Sequence, residues 1–212
     1  MAARWIDSLE RKIGDWAIPG VAAFLVAANG AVALLTALKP EFSSRLALDP
    51  EAVLRGEAWR LLTFLIVPPE LEPMWTIFWL IMLFSILKAL ENAWGDFRFN
   101  LFTILGAAFV GGYSLASGIP ASDVTLITSF FLAFAKLFPD LEVLVFFVIP
   151  VKVRWLGRIA WAMLALQFLA GGLHAKAYLL AGLANYLIFF GAGHWLDLKL
   201  FIRRRRESGR LR

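Results

Sequence analysis

The sequence predicts an all-α polytopic membrane protein, a bundle of six transmembrane helices with a membrane-embedded hairpin between helices 1 and 2. Three observations predict this fold. Hydrophobic residues make up 60% of the 212 residues and include 9 Trp and 19 Phe, which is more apolar surface than a soluble domain of this length buries. The apolar residues form six runs close to the roughly 20 residues that a helix needs to cross a bilayer. Lys and Arg divide unevenly between the two sides of these runs.

The six runs define the predicted domain organisation. Segment 1–16 mixes charged and apolar residues and is predicted to lie at the membrane interface. Residues 17–196 are predicted to form the six-helix membrane domain, and 197–212 a basic cytoplasmic tail. Each run is bounded by Pro, Gly or charged residues. The predicted spans are 17–38, 73–90, 97–117, 122–138, 155–173 and 177–196.

The distribution of basic residues predicts the orientation. Of the 21 Lys and Arg residues, sixteen fall on the side that holds both termini and five on the other side. The positive-inside rule therefore predicts that both termini are cytoplasmic. The lack of a targeting peptide favours a bacterial inner (plasma) membrane. Much of the net charge of +5 lies in the tail FIRRRRESGRLR, which predicts contact with anionic lipid headgroups of the bilayer and no binding of nucleic acid.

The segment between the first two predicted spans does not itself span. Its longest apolar run, WRLLTFLIV, has only nine residues and ends at Pro68 and Pro69. We expect a partly membrane-inserted hairpin of short helices. Trp59 and Arg60 are expected to keep their polar ends in the headgroup layer of the bilayer.

The segment PDLEVLVFFVIPVKVRW, between the fourth and fifth predicted spans, also differs from its surroundings. Its apolar centre is β-branched and aromatic, too short to span, and flanked by Pro139 and Pro150. The sequence therefore predicts an extended segment along the membrane interface.

The fourth predicted span, SDVTLITSFFLAFAKLFP, begins with several hydroxyl residues. Ser122 and Asp123 are predicted to cap the helix. Thr125, Thr128 and Ser129 are predicted to bond to carbonyl groups of the preceding turn or to neighbouring helices.

Few other side chains suggest chemistry. The chain has no Cys, and its two histidines, His174 and His194, are far apart and lack acidic partners, so no metal or cofactor is expected. The amides within the spans are expected to cross-link helices: Asn29, Asn100, Gln167 and Asn185.

Three segments together carry a resemblance to a known family. They are GEAWRLLTF at 56–64, LKALENAWGDFRF at 87–99, and AFAKLFP followed by VFFVIPVKVRWLG within 133–157. Over roughly residues 17–195 the chain resembles the rhomboid superfamily. The family-motif positions are Trp59, Arg60, Glu91 and Gly95. The resemblance implies a six-helix core with both termini cytoplasmic.

Active rhomboids are intramembrane proteases with a serine in GxSG at the start of the fourth helix and a histidine in HxxG on the sixth. The resemblance places Val124 in the serine slot and Leu179 in the histidine slot. Trp75 and Trp79 fall near the positions of the family's oxyanion donors. The resemblance therefore implies that the catalytic residues are missing together.

The resulting expectation is a catalytically inactive rhomboid-like protein, similar to derlins and other pseudoproteases, which bind transmembrane segments of client proteins. Two alternatives stay open. A rhomboid-type serine protease with relocated residues would use Ser129 and His174. A small-solute transporter is the second alternative. It is disfavoured because no Asp or Glu falls in the middle of a predicted span, and Glu91 lies at a helix end, whereas a proton-coupled transporter usually needs an ionisable group at depth.

Overall fold

Most of the described chain is helical. The structure, a computed structural model, describes the backbone of residues 4–145 and 149–210 and the side chains of 5–143, 150–191 and 193. Two 3-10 turns cover Gly14–Trp16 and Phe64–Ile66, and two strands, β1 (Glu142–Val145) and β2 (Ile149–Lys152), form one antiparallel pair. The α-helices are α1 (Arg4–Ile13), α2 (Val21–Leu38), α3 (Glu41–Leu46), α4 (Pro50–Leu54), α5 (Arg60–Thr63), α6 (Pro73–Trp94), α7 (Asp96–Ser117), α8 (Val124–Leu137), α9 (Val153–Ala170) and α10 (Leu173–Arg210).

Among the described residues, four helices are long and apolar enough to cross a membrane: α2, α6, α7 and the Leu173–Gly191 part of α10. The chain is therefore a helical membrane protein. The predicted fourth span is shorter than expected, because α8 has 14 residues and is about 21 Å long against a hydrocarbon core of about 30 Å. Arg154, Arg158 and Gln167 lower the mean hydropathy of α9 below that of the four. That the protein has six transmembrane helices stays a prediction.

The first of these helices is joined to the second by one buried carboxylate. Glu91 is 2% exposed, and its Oε1 accepts a hydrogen bond of 3.0 Å from the backbone amide of Ala22 in the first turn of α2. Its other oxygen accepts from Lys88 Nζ at 2.7 Å. The first amides of a helix have no partner within the helix, and a negative charge there is favourable. Glu91 therefore fixes the start of α2 against the end of α6.

A single residue, Gly95, connects α6 to α7. Its φ of 77° lies in the left-handed region, where a residue with a Cβ is strained. The chain reverses there within one residue, which makes α6 and α7 a tight antiparallel pair. This accounts for the glycine four residues after Glu91.

Within the core, α7, α8 and α10 approach each other closely at glycines. A Cβ at Gly106 would overlap the side chains of Leu126 and Asn185. A Cβ at Gly182 would overlap Thr125. In a membrane protein, where lipid is as apolar as the side chains, such close backbone contact is a main source of helix association.

Aromatic rings fill the layer next to these glycines. Phe102 lies at the centre, and its ring centroid is 5.1 Å from those of Trp94, Phe130 and Phe189. Tilted and edge-on rings at this separation attract each other beyond their buried area. The cluster ties the end of α6 to α7, α8 and α10.

The N-terminal helix α1 packs on the bundle. Ile6 is fully buried in the core. Arg98, in the first turns of α7, donates to Asp7 Oδ1 and to Glu10 Oε2, both at 2.9 Å. The interfacial segment predicted for 1–16 is thus a docked helix in the part that the structure describes.

The extended segment after α8 is confirmed for residues 142–145 and 149–152, and residues 146–148 lie outside the described chain. The antiparallel register pairs Glu142 with Lys152 and Val145 with Ile149. An Asp140 to Arg154 ion pair joins the two ends of this hairpin. In the part of the chain that the structure describes, the fold is therefore all-α apart from this two-stranded ribbon.

The last helix, α10, continues through the boundary predicted at 196 to Arg210. The side chains of the basic tail lie outside the described residues.

Glu91→Leu is expected to destabilise the fold by about 2–3 kcal/mol, because the amide of Ala22 then has no acceptor and Lys88 loses its partner. Thermal unfolding in detergent micelles measures this change. Glu51→Leu is the control, since Glu51 is an exposed residue of α4 and its loss is expected to change stability by less than about 0.5 kcal/mol. Equal effects of the two substitutions would contradict the role of Glu91.

Candidate functional site

Arg60 organises the hairpin segment, which we define as residues 39–72. Its side chain is 8% exposed. Its Nη1 donates to the carbonyl oxygens of Ser44 at 2.7 Å and Ala47 at 2.8 Å, and its Nε to Glu57 Oε2 at 2.7 Å. The planar guanidinium suits such divergent acceptors. Arg60 therefore closes the segment on itself.

Arg60 thus uses Nη1 and Nε for two carbonyls and one carboxylate of its own segment. Its expected position in the headgroup layer stays a prediction. Trp59, in contrast, is 54% exposed. The prediction of short helices in this segment is confirmed by α3, α4 and α5. Thr63 adds a further link by donating to the carbonyl of Leu46 at 2.9 Å.

A cavity of ≈ 390 Å³ lies between the hairpin segment, α6 and the start of α8. We call it the hairpin-side cavity. Phe64, the Pro68–Pro69 turn and Trp79 form its apolar wall, and residues 121–124, 127 and 128 form its floor. A backbone hydrogen bond of 3.3 Å from Ala121 to Leu48 joins the floor to the hairpin segment. A larger cavity of ≈ 630 Å³ lies on the other side of the same turn and reaches Trp75.

Two hydroxyl side chains meet beside this floor. The oxygens of Ser122 and Tyr178 are 3.1 Å apart, and the Tyr178 hydroxyl also donates to the Ser122 carbonyl at 2.8 Å. The ring of Tyr178 lies 5.6 Å from that of Tyr113. These contacts connect the starts of α8 and α10 with the end of α7.

The structure does not bring the two predicted dyad positions together. Val124 is 58% exposed and lines the hairpin-side cavity. Leu179 is buried and lines a different, apolar groove of ≈ 350 Å³ between α9 and α10. The residues that do meet, Ser122 and Tyr178, lie two and one positions earlier in the chain.

Ser129 and His174 are also apart. Ser129 is fully buried, donates to the carbonyl of Leu126 at 2.7 Å, and accepts from Asn185 at 3.1 Å. His174 is exposed in the first turn of α10, eleven residues from Asn185, which corresponds to about 16 Å along the helix. The side chain of His194 lies outside the description.

The remaining polar side chains of α8 act partly as predicted. Thr128 donates to the carbonyl of Val124 at 2.8 Å, and Ser129 also bonds to the preceding turn, so the back-bonding prediction is confirmed for both. It is wrong for Thr125, whose buried Oγ1 has no hydrogen-bond partner among the described residues. The capping prediction is wrong for Asp123, whose side chain makes no cap hydrogen bond, and Ser122 turns to Tyr178 instead.

Three of the four amides cross-link elements as expected. Asn29 of α2 donates to the carbonyl of Leu65 in the hairpin segment at 3.1 Å, and Asn100 of α7 donates to Ile18 at 3.0 Å. Asn185 joins α10 to the Ser129 hydroxyl. Gln167 faces outward on α9.

Asp123 is the buried acidic group of the site. It precedes α8, is 7% exposed and lines the hairpin-side cavity. Burial raises the pKa of Asp123 to about 7, and a hydrogen bond with its own backbone amide opposes this rise. The sequence does not reveal this environment, because the residue is buried by distant segments, the hairpin segment on one side and α2, α6 and α7 on the other.

The raised pKa of Asp123 predicts a dependence of stability on pH. In the folded state the carboxyl holds its proton up to a pKa of about 7, whereas in the unfolded chain it ionises near about 4. The contribution of Asp123 to stability is therefore greatest below about pH 4 and falls, by up to about 4 kcal/mol, as pH rises to about 7.

Asp123→Asn removes this dependence. We expect the variant to gain stability relative to the parent chain as pH rises from 5 to 8, measured by thermal unfolding in detergent micelles. Other carboxyl groups titrate in both proteins and cancel in the difference. A difference that does not change with pH would contradict the assignment.

Comparisons with known proteins add no family to this picture. No model of a known protein family matches the chain. No curated protein is significantly similar to it. The rhomboid-like relationship predicted from Trp59, Arg60, Glu91 and Gly95 therefore stays a prediction from the sequence.

Proposed function

We propose that this chain is a catalytically inactive, rhomboid-like integral membrane protein that binds transmembrane segments of client membrane proteins. The hairpin-side cavity carries the proposal. Its floor presents the exposed side chain of Val124, and its wall is largely apolar. A volume of ≈ 390 Å³ lies within the usual range of binding pockets, about 300–1,000 Å³.

The short α8 supports a site for part of a membrane-spanning helix. Because α8 is about 21 Å long, a path across the bilayer through this part of the protein is shorter than the hydrocarbon core. The hairpin segment packs over the start of this short helix, and the hairpin-side cavity lies between the hairpin segment and α8. A client segment placed there would contact apolar side chains over its end and lipid over the rest of its length.

The placement in the membrane is part of the proposal. We infer that α8 and α9 complete six spans with α2, α6, α7 and α10, in a bacterial inner membrane with both termini cytoplasmic. The sixteen basic residues on the side of the termini, against five on the other, support this orientation. The hairpin-side cavity then opens toward the outer side.

The test is to fill the cavity. Val124→Trp is expected to weaken binding of a fluorescently tagged single-span protein with a polyleucine helix by at least about tenfold, measured by fluorescence anisotropy in nanodiscs. Leu34→Trp is the matched control, because Leu34 is a similarly exposed apolar residue on α2 that does not line the cavity.

Two results would contradict the proposal. One is binding that is equally sensitive to both substitutions, which would indicate nonspecific contact with the lipid-facing surface. The other is the lack of any binding of the single-span protein by the parent chain when a lipid-only nanodisc gives the same signal.

The hydroxyl pair favours a second candidate function, a rhomboid-type intramembrane serine protease in which Ser122 replaces the predicted Ser129. Ser122 and Tyr178 lie within hydrogen-bond distance beside a cavity. Against it, His174 lies in the first turn of α10 outside this pair, and a hydroxyl partner is a weaker base than the imidazole that active rhomboids use. The small-solute transporter stays a prediction from the sequence.

Labelling with a fluorophosphonate probe in detergent separates the first two candidates. We expect no labelling of the chain under conditions that label an active rhomboid. Labelling that disappears in Ser122→Ala and persists in Ser117→Ala would establish the protease instead, since Ser117 is a hydroxyl residue at the end of α7 away from Tyr178.

A further inference from the structure

A second, much smaller cavity lies inside the bundle. Its volume is ≈ 20 Å³, and it is bounded by residues of α2, α6, α7 and α8. We call it the inner cavity. Three of its lining side chains are polar, Asn29, Thr103 and Asp123, and all three are more than nine-tenths buried. Asp123 also lines the hairpin-side cavity, so it lies between the two.

One polar atom at this cavity has no partner among the described residues. The Oδ1 atom of Asn29 is buried without a hydrogen bond. The amide cannot be turned to relieve this, because its Nδ2 already donates to the carbonyl oxygens of Leu25 at 2.9 Å and Leu65 at 3.1 Å. Exchanging Oδ1 and Nδ2 of Asn29 would place the amide oxygen against the carbonyl oxygens of Leu25 and Leu65, with no hydrogen between them. The structure therefore leaves an unpartnered acceptor on a residue that lines the inner cavity, and such buried acceptors are rare in proteins.

The other two polar groups complete a site for one small hydrogen-bonding molecule. Thr103 donates its proton to the carbonyl of Phe99 at 2.9 Å, so its oxygen keeps acceptor capacity. The Asp123 carboxyl accepts when ionised and can also donate when protonated. A molecule with two donors and two acceptors satisfies all three side chains.

We propose that the inner cavity binds one water molecule, which donates to Asn29 Oδ1 and bonds to Thr103 and Asp123. A volume of about 10–15 Å³ is enough for one water, and a buried water has about three hydrogen bonds to polar groups. A larger ligand does not fit ≈ 20 Å³. A bare monovalent cation would have only three side-chain oxygens around it, with leucines on the remaining sides.

This water has a structural consequence. It links α2, α7 and the start of α8 beneath the hairpin-side cavity, where no described side-chain hydrogen bond joins Asn29 to Thr103 or Asp123. It also hydrates the inner face of Asp123. The proposal does not depend on client binding, since it rests on the cavity and the unpartnered amide oxygen alone.

X-ray radiolytic hydroxyl labelling of the full chain in detergent tests the proposal, because a bound water generates hydroxyl radicals beside the side chains that surround it. Leu83 lines the inner cavity and is 4% exposed. Leu90 and Leu132 are equally buried and line none of the described cavities. We expect Leu83 to be oxidised several-fold faster than either control. Equal, slow oxidation of all three leucines would overturn the proposal.

Two variants assign the signal to this site. Asn29→Leu and Thr103→Val each remove a partner of the water and are expected to reduce the oxidation of Leu83 to the level of the controls. Thr103→Val keeps the side-chain shape, so it serves if Asn29→Leu does not fold. Fast oxidation of Leu83 that persists in a folded variant would contradict the assignment.

A sodium ion is the remaining occupant to separate. Its binding would raise the thermal midpoint in sodium chloride over that in choline chloride, and this difference would be lost in Thr103→Val. The water proposal requires equal midpoints in the two salts. A sodium-dependent rise that the variant abolishes would replace water by a cation.

Discussion

The buried carboxylate of Glu91 is the contact on which the arrangement of the helices depends. Lipid gives no hydrophobic driving force between helices, so the bundle relies on close packing and on a small number of buried polar bonds. Glu91 bonds to the first turn of α2 and draws Lys88 to the same place. With α2 fixed against α6, Asn29 of α2 donates to Leu65 of the hairpin segment, which forms the wall of the hairpin-side cavity. The position of the candidate site thus depends on a contact at Ala22, about two helical turns earlier in α2.

The hairpin segment also depends on one buried charged side chain, that of Arg60. It has only short helices, which are too short to be stable alone. Arg60 supplies their common centre by bonding to two carbonyls and one carboxylate of the segment. The outcome is a wall over the start of α8. Burial of Asp123 between this wall and the bundle raises the pKa of that carboxyl to about 7.

Helices were predictable where apolar runs are long and end at strong signals. The boundaries of α2, α6 and α7 follow from Pro, Gly and charge, and the resemblance singled out Arg60, Glu91 and Gly95, which all prove to have structural roles. The site was less predictable. One residue on a helix changes the direction of a side chain by about 100°, so the sequence could not distinguish Leu179, which faces α9, from Tyr178, which faces Ser122. The bond from Asn29 to Leu65 and the burial of Asp123 depend on segments distant in the sequence, and no local pattern encodes them.

The one-residue turn at Gly95 restricts how far α6 and α7 can separate. Two helices of 22 residues each meet there with no loop between them. Consecutive Cα atoms are about 3.8 Å apart, so the end of α6 and the start of α7 cannot move apart by more than a few ångströms without losing helical turns. The glycine thereby sets the spacing of the two helices at this end by covalent geometry, independently of the side chains that pack between them.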